Sequence, residues 1–250
     1  MSRYRMILAW RRPILLIAGL LLLWQVLYWL AGEVALRSPA ATLSYTASLI
    51  ARPTFWPHLE ESAKAFAAAL AIAIASGLAI GLLLGASRLA GDVFEPMLVA
   101  IYSIPKVTLY PIILLAFGLG MPAKVAFGAI HGVIPIALFT INAVRNVRPI
   151  LIKTGRVLKL GPMAMATRII VPAALPEIFT GLRIGFALTL IGTLLGEMFA
   201  SQRGLGYMLM NAIGLHNVDV IMAVTFLLIV FAAAVSVVLL RIDHRLHRRV

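Results

Sequence analysis

Few side chains in this sequence could do chemistry, and their spacing narrows which. The 250 residues include no cysteine, which removes disulfides, thiolate metal sites and cysteine nucleophiles. His58, His131, His216, His244 and His247 show no metal-ligand spacing within one apolar stretch. No H-E-x-x-H, G-x-S-x-G or G-x-x-x-x-G-K-[ST] pattern occurs, so neither metallohydrolase, serine hydrolase nor phosphate-loop chemistry has a foothold. The chain reads as non-catalytic, with no cofactor or metal of its own. What remains are charges inside apolar runs: Lys106, Arg183 and Glu197.

The elements that hold these charges follow from composition. The chain is 62% hydrophobic and 12% charged, with a mean hydropathy of +1.01, whereas a soluble domain is about a quarter charged. This is an integral membrane protein. Uncharged runs of 20, 23, 20 and 21 residues lie between Arg12 and Glu33, Lys64 and Arg88, Lys124 and Arg145, and Asp219 and Arg241. A helix needs about 20 residues to cross about 30 Å of hydrocarbon. Two further runs carry internal charges, one with Lys106 and one with Glu177, Arg183 and Glu197. The expectation is six spans, near 13–32, 65–87, 96–119, 124–144, 173–199 and 219–240, in one domain over 1–250. The first is too long for a cleavable signal, and Trp24, Gln25, Tyr28 and Trp29 fit an interfacial belt.

The net charge of +13 follows the topology and needs no nucleic acid. With the amino terminus inside, the inner segments hold 15 basic residues. These are Arg3, Arg5, Arg11, Arg12, Arg88, the six between Arg145 and Arg168, and Arg241, Arg245, Arg248 and Arg249. The outer segments hold five: Arg37, Arg52, Lys64, Lys124 and Arg203. That bias places both termini and the 145–171 loop in the cytoplasm. The outer stretch 33–61, with Pro39, Pro53, Pro57 and Trp56, is expected to form short helices at the membrane surface.

An ammonium group in the bilayer core costs at least ~2.5 kcal/mol. Lys106, between Pro105 and Pro111, must therefore face protein or a wet cavity, because prolines at that depth are tolerated only there. Two readings stay open: a structural pair with Glu95 or Glu197, or positive potential along the path of an anionic solute. Glu197, ahead of a Gly204-Leu-Gly206 turn, pairs with Lys106 or Arg203, lines the same path, or serves as the proton relay of a secondary transporter. Arg183 is near the inner boundary, where its guanidinium can snorkel to water. His131 is expected to bond a neighbouring helix. Gly77, Gly81 and Gly85 lie on one helix face, a pattern that lets helices approach closely in lipid.

The 145–171 loop has six basic residues and no acidic one. Pro149 suits a first helical turn and Pro162 is expected to end the helix. Ile150, Leu151, Thr154, Val157, Leu158 and Gly161 share one face, and Lys153, Arg156 and Lys159 another. By periodicity the helix is either an anchor on acidic lipid or a docking element.

Four stretches carry a family resemblance. They are Gly77-Leu-Ala-Ile-Gly-Leu-Leu-Leu-Gly-Ala-Ser-Arg88; Ser103-Ile-Pro-Lys-Val-Thr-Leu-Tyr-Pro111 with Phe117-Gly-Leu-Gly120; the run from Lys153 to Arg183, which includes Val171-Pro-Ala-Ala-Leu-Pro176 and Thr180-Gly-Leu-Arg183; and Gly196-Glu-Met-Phe-Ala-Ser-Gln-Arg-Gly-Leu-Gly-Tyr207. In order and spacing over about residues 60–241, the chain resembles the inner-membrane permease subunits of ABC importers, above all the nitrate, sulfonate and taurine branch. The resemblance implies an all-helical type I importer fold and a cytoplasmic coupling helix between spans four and five. In the family this helix carries Glu-Ala-Ala, three residues, then Gly, with a Leu-Pro further on, and docks into a cleft of a cytoplasmic ATPase. Ungapped alignment from Pro172 puts Lys153, Thr154 and Gly155 at Glu-Ala-Ala and Lys159 at the Gly, with Gly161 two residues later. The coupling set carried over is Lys153, Thr154, Gly155, Arg156, Val157, Leu158, Lys159 and Gly161, and the Glu-to-Lys change points to a dedicated ATPase with complementary acidic residues.

The resemblance further implies a homodimer around one pathway, two ATPase subunits holding ATP and Mg, and a periplasmic or lipid-anchored binding protein. The solute is expected to be small and anionic, such as a sulfonate, taurine or nitrate. The alternatives are a thiamine-precursor pyrimidine in the same role, a self-sufficient secondary transporter, which would show inverted repeats, and an intramembrane enzyme.

Overall fold

The computed structural model describes residues 3–247, with the side chains of 15–199 and 201–246. The side chains of Arg3, Arg5, Arg11, Arg12, Arg248 and Arg249 lie outside that description. Among the described residues every element is helical. The chain divides into two compact units, 1–56 with 208–230, and 57–207 with 231–250.

In the first unit, α1 (Arg3–Ala31) leads to a surface helix, α2 (Pro39–Ala51). Ser38 caps α2, its Oγ accepting the Ala41 N–H at 3.2 Å, and Pro39 fills the first turn, where no N–H is needed. The interfacial aromatics anchor the connection. Trp24 Nε1 donates to the Arg37 carbonyl at 3.0 Å, and the Tyr28 hydroxyl donates to Glu33 at 3.0 Å. Arg37 donates through Nε and Nη2 to both oxygens of Asp219, at 2.7 and 3.1 Å. That carboxylate pushes the Arg37 guanidinium still further up from its ordinary value. Asp219 opens α11 (Val218–His247).

The second unit is built on α3 (Phe55–Ala86), α6 (Met121–Arg145) and α9 (Val171–Ala200). Small residues set their spacing. A Cβ at Gly77 would lie 2.7 Å from the Ile136 Cβ, and one at Gly85 3.0 Å from the Val144 Cβ. The small-residue face of α3 therefore packs inside this chain, against α6. On α6, Gly128 faces Thr193 and Gly132 faces Thr189, and on α9, Gly185 faces Ile136 and Gly196 faces Lys124. These pairings also fix direction: along α3 the partners on α6 rise in number, while along α9 they fall. The first two helices are parallel and the third antiparallel to them.

Because α3 and α6 run the same way, the chain between them must recross the bilayer. It does so with a broken pair, α4 (Arg88–Ser103) and, after a single 3-10 turn at Lys106–Leu109, α5 (Tyr110–Phe117). The limbs meet at 85°. The span expected near 96–119 is thus two limbs that begin at Arg88 and end at Phe117. Pro105 lacks an N–H and disfavours helix in the residue before it, so α4 stops at Ser103. Pro111 does not break anything; it occupies the first turn of α5.

Beyond α6, the short α7 (Pro149–Val157) stops four residues earlier than the proline spacing suggests. Pro162 opens the next helix rather than closing this one. A helical turn, α8 (Pro162–Met165), and a π turn at Ala166–Ile170 run directly into α9, giving 38 helical residues to Phe199. The helix α10 (Leu205–Gly214) precedes α11. Near the end of α11, Asp243 lies 3.7 Å from Arg183, so the guanidinium expected to snorkel to water meets a carboxylate of its own chain. Among the described residues, four helices are long and apolar enough to span a membrane, five with the bent pair counted as one. The described part of α1, Leu15–Ala31, is a shorter apolar helix.

Candidate functional site

The helix α7 has two apolar faces. Leu151 and Ile152 turn inward and pack with Ala143 and Val147 at the end of α6 and Ala174 and Ile178 at the start of α9. Gly155 is buried with them, and a Cβ there would lie 2.6 Å from the Met165 sulfur and 2.8 Å from Ile169 Cδ1. Of the coupling residues carried over from the resemblance, Gly155 therefore faces its own chain. The second face looks away: Ile150, Val157 and Leu158 are 64%, 81% and 64% exposed. Lys153, Thr154, Arg156 and Lys159 are exposed beside it. The expected stripe is thus split, with Leu151 inward and Ile150, Thr154, Val157 and Leu158 outward.

The end of α7 explains an oddity of the sequence. The Leu160 N–H donates to the Gly155 carbonyl and the Lys159 N–H to the Arg156 carbonyl, both at 3.0 Å. That pair of bonds requires a left-handed residue between them, usually glycine. Lys159 supplies it, with φ of 50°.

Lys106 sits at the break between α4 and α5, half-buried. Its Nζ donates to the Tyr102 carbonyl at 3.1 Å and lies 4.3 Å from the centre of the Tyr102 ring. Neither proposed carboxylate reaches it. Glu95 accepts from Arg145 at 2.9 Å, and Glu197 is engaged elsewhere. The structural-pair reading of Lys106 is corrected on that geometry: among the described residues its ammonium is held by a carbonyl and an aromatic face.

Glu197 belongs to a buried polar knot that joins α3, α6, α9 and the turn after α9. Both of its oxygens accept the Ser62 hydroxyl, at 2.7 and 2.8 Å, and Oε2 accepts the Gly206 N–H at 2.9 Å. The Ser62 Oγ accepts the Leu205 N–H at 2.7 Å, and His58 Nδ1 the Gly204 N–H at 3.1 Å. Lys124 lies 3.9 Å from Glu197 and donates to Glu61 at 2.9 Å, Ser201 at 3.0 Å and the Arg203 carbonyl at 3.2 Å. Lys124 and Glu197 are both 0% exposed. Gly204 has φ of 123°, and any side chain there would fall on the Glu197 carboxylate. So Glu197 pairs with Lys124, not with Lys106 or the Arg203 side chain, and it is turned into the bundle. His131 bonds its own helix, at the Phe127 carbonyl 2.8 Å from Nδ1, not a neighbouring one.

Residues 73–250 match the family described as binding-protein-dependent transport system inner membrane component. This chain belongs to that family. Among its relatives, the riboflavin transport system permease protein of Chloroflexus aurantiacus is 34% identical, with 81% of this chain and 76% of the relative aligned. The nitrate import permease protein of a Synechocystis strain is 31% identical over 80% and 76%. The fold is shared with a solved structure of the MetNI methionine ABC transporter in inward-facing conformations. The TM-score is 0.68 at 20% identity, with 78% of this chain and 98% of that one covered. The chain is an ABC importer permease of the nitrate, sulfonate and taurine branch.

As a permease subunit it is a multi-pass membrane protein that works with an ATPase and a substrate-binding protein. In this permease the residue that sequence reasoning missed is Lys124. Flanked by Met121-Pro-Ala, it looks like a loop charge at the edge of a span, and its acceptors lie 63, 77 and 79 residues away. Its one local signal was that it begins an otherwise apolar run.

Proposed function

We propose that this permease carries a small anionic solute, driven by ATP and Mg on two copies of a separate ATPase that grip α7. Two copies of the chain enclose the pathway, a binding protein delivers the solute from outside, and both termini and α7 are cytoplasmic. The chain itself binds no cofactor and catalyses no reaction. Lys106, half-buried at the break of the third span, supplies positive potential on the path, while Glu197 holds the structure of the bundle. The coupling surface is Ile150, Thr154, Val157 and Leu158, rimmed by Lys153, Arg156 and Lys159.

The observation that carries this reading is the outer face of α7. A nine-residue helix already fastened on one side gains nothing by exposing three large apolar residues on the other unless something covers them. Cations on the rim match a partner with acidic residues around an apolar cleft. An acidic lipid surface would serve the cations too, and the experiment separates the two. Leu158→Asp places a charge on the covered face, where loss of an anchor costs about 2 kcal/mol or more. The variant should insert normally, lose the ATPase on purification and abolish uptake. A full complement of co-purified ATPase would reduce α7 to a lipid anchor. Uptake that persists in vesicles without ATP would establish the secondary-transporter alternative instead.

A further inference from the structure

The last residue of α6, Arg145, reaches across to α4. Its Nη1 donates to Glu95 at 2.9 Å and its Nη2 to Asp92. The Arg145 side chain is 24% exposed and that of Glu95 29%, so the Glu95 limb of the fork is half-buried, while Asp92, at 61%, faces outward. Apolar packing does little to fix the limb it holds: Gly91 is the one buried residue of α4. A Cβ at Gly91 would lie 3.0 Å from Arg145 Nη1 and 3.2 Å from the Leu84 carbonyl, so the guanidinium lies on bare backbone. The corner before α4 is equally tight. Ser87 alone separates α3 from α4, its Oγ accepting the Ala90 N–H at 3.3 Å. Alongside the clamp a cavity of about 980 Å³ opens, lined in part by Arg88, Val99 and Asn142. Among the described residues, the hydrogen bonds that tie α4 to α6 all come from Arg145.

On the other flank, three residues separate Arg145 from α7, and the middle one, Val147, is buried against Ala174 and Ile178. We infer that Arg145 is a positioning residue for transport: with Asp92 and Glu95 it makes α4 move as one body with the end of α6 and α7. The broken span then changes shape at its 85° bend and not at its start. This rests on the proposed docking of α7 to the ATPase.

The test uses the full complex in vesicles, with ATP hydrolysis and uptake measured together. Arg145→Gln should keep its ATPase and keep hydrolysing ATP, while uptake falls at least tenfold. Arg145→Glu with Glu95→Arg should recover a good part of it. A packing role alone would lower hydrolysis and uptake together and leave the reversed pair no better. Should Arg145→Gln fail to assemble, a second arm decides. In this cysteine-free chain, Val99→Cys on α4 and Asn142→Cys on α6, which line the same cavity and leave Arg145 in place, can be joined by a bis-maleimide. If α4 and α6 travel together, the linked protein transports at least as well as the unlinked pair. A link that blocks uptake while hydrolysis continues overturns the inference. The two readings fail separately: Leu158→Asp that retains its ATPase refutes the docking of α7. Leu158→Asp that loses the ATPase, with Arg145→Gln that transports normally, refutes only the clamp.

Discussion

Lys124 and Lys106 are both ammonium groups within apolar helices, and each is kept there by different surroundings. Lys124 is fully enclosed and has three oxygen acceptors plus a second carboxylate at 3.9 Å. Removing one member of such a group leaves buried charge uncompensated, at about 3–5 kcal/mol. Lys124→Met should therefore sharply lower yield and thermal stability in detergent, with partial recovery when Glu61→Gln is added. A Lys124→Met protein as stable as the parent would mean the knot carries no weight. Lys106 has a carbonyl and a ring face, contacts worth about 0.5–2 kcal/mol. Lys106→Met should assemble and melt like the parent, while uptake of an anionic solute falls. Normal uptake would remove Lys106 from the path. Lys106 could be singled out from sequence because two prolines and an apolar run isolate it. Lys124 could not, because long-range partners define it and a sequence shows only neighbours.

The elements were legible where local chemistry decides them and obscure where tertiary contact does. The start of α7 follows from Pro149, and the cap of α2 from Ser38 and Pro39. The end of α7 does not follow from Pro162, because the helix closes earlier on a left-handed residue that happens to be a lysine. A non-glycine in that conformation costs about 1–2 kcal/mol, of which the extra backbone freedom of glycine returns about 0.5–1. Lys159→Gly should therefore stabilise the end of α7 by up to about 1 kcal/mol, read as slower hydrogen exchange at the Leu160 amide. Lys159→Ala, which keeps the strain, should not. Equal exchange in the two variants would show that φ is not what limits this turn. The break in the third span was half legible. Pro105 marks the place, but the angle between the limbs depends on how α5 packs. Tyr110 and Ile113 bury themselves against Ala123 and Phe127 of α6, contacts that no local pattern announces.

At the scale of the whole molecule, helix direction constrains what sidedness can be. In the second unit α3 and α6 run parallel and α9 antiparallel, so the two ends of the long helix from Pro162 to Phe199 must lie on opposite sides of the bilayer. At 1.5 Å per residue it is roughly 57 Å long, nearly twice the hydrocarbon thickness of about 30 Å. Geometry fixes that the ends differ; only the charge distribution says which is inside. With 15 of the 20 basic residues outside the spans assigned to one side, we propose that side as the cytoplasm. Thr154, exposed on α7, reports the inner end. Ser201 would be a poor reporter of the outer end because it accepts from Lys124, whereas the neighbouring Gln202 is exposed. Single cysteines at Thr154 and Gln202 therefore make a direct test in this cysteine-free chain. In intact cells an impermeant thiol reagent should modify position 202 and reach 154 only after permeabilisation. The reverse pattern would invert the topology and put α7 out of reach of any cytoplasmic ATPase. Modification of both from outside would contradict the antiparallel pairing of α6 and α9 and, with it, the crossing assigned to the broken span.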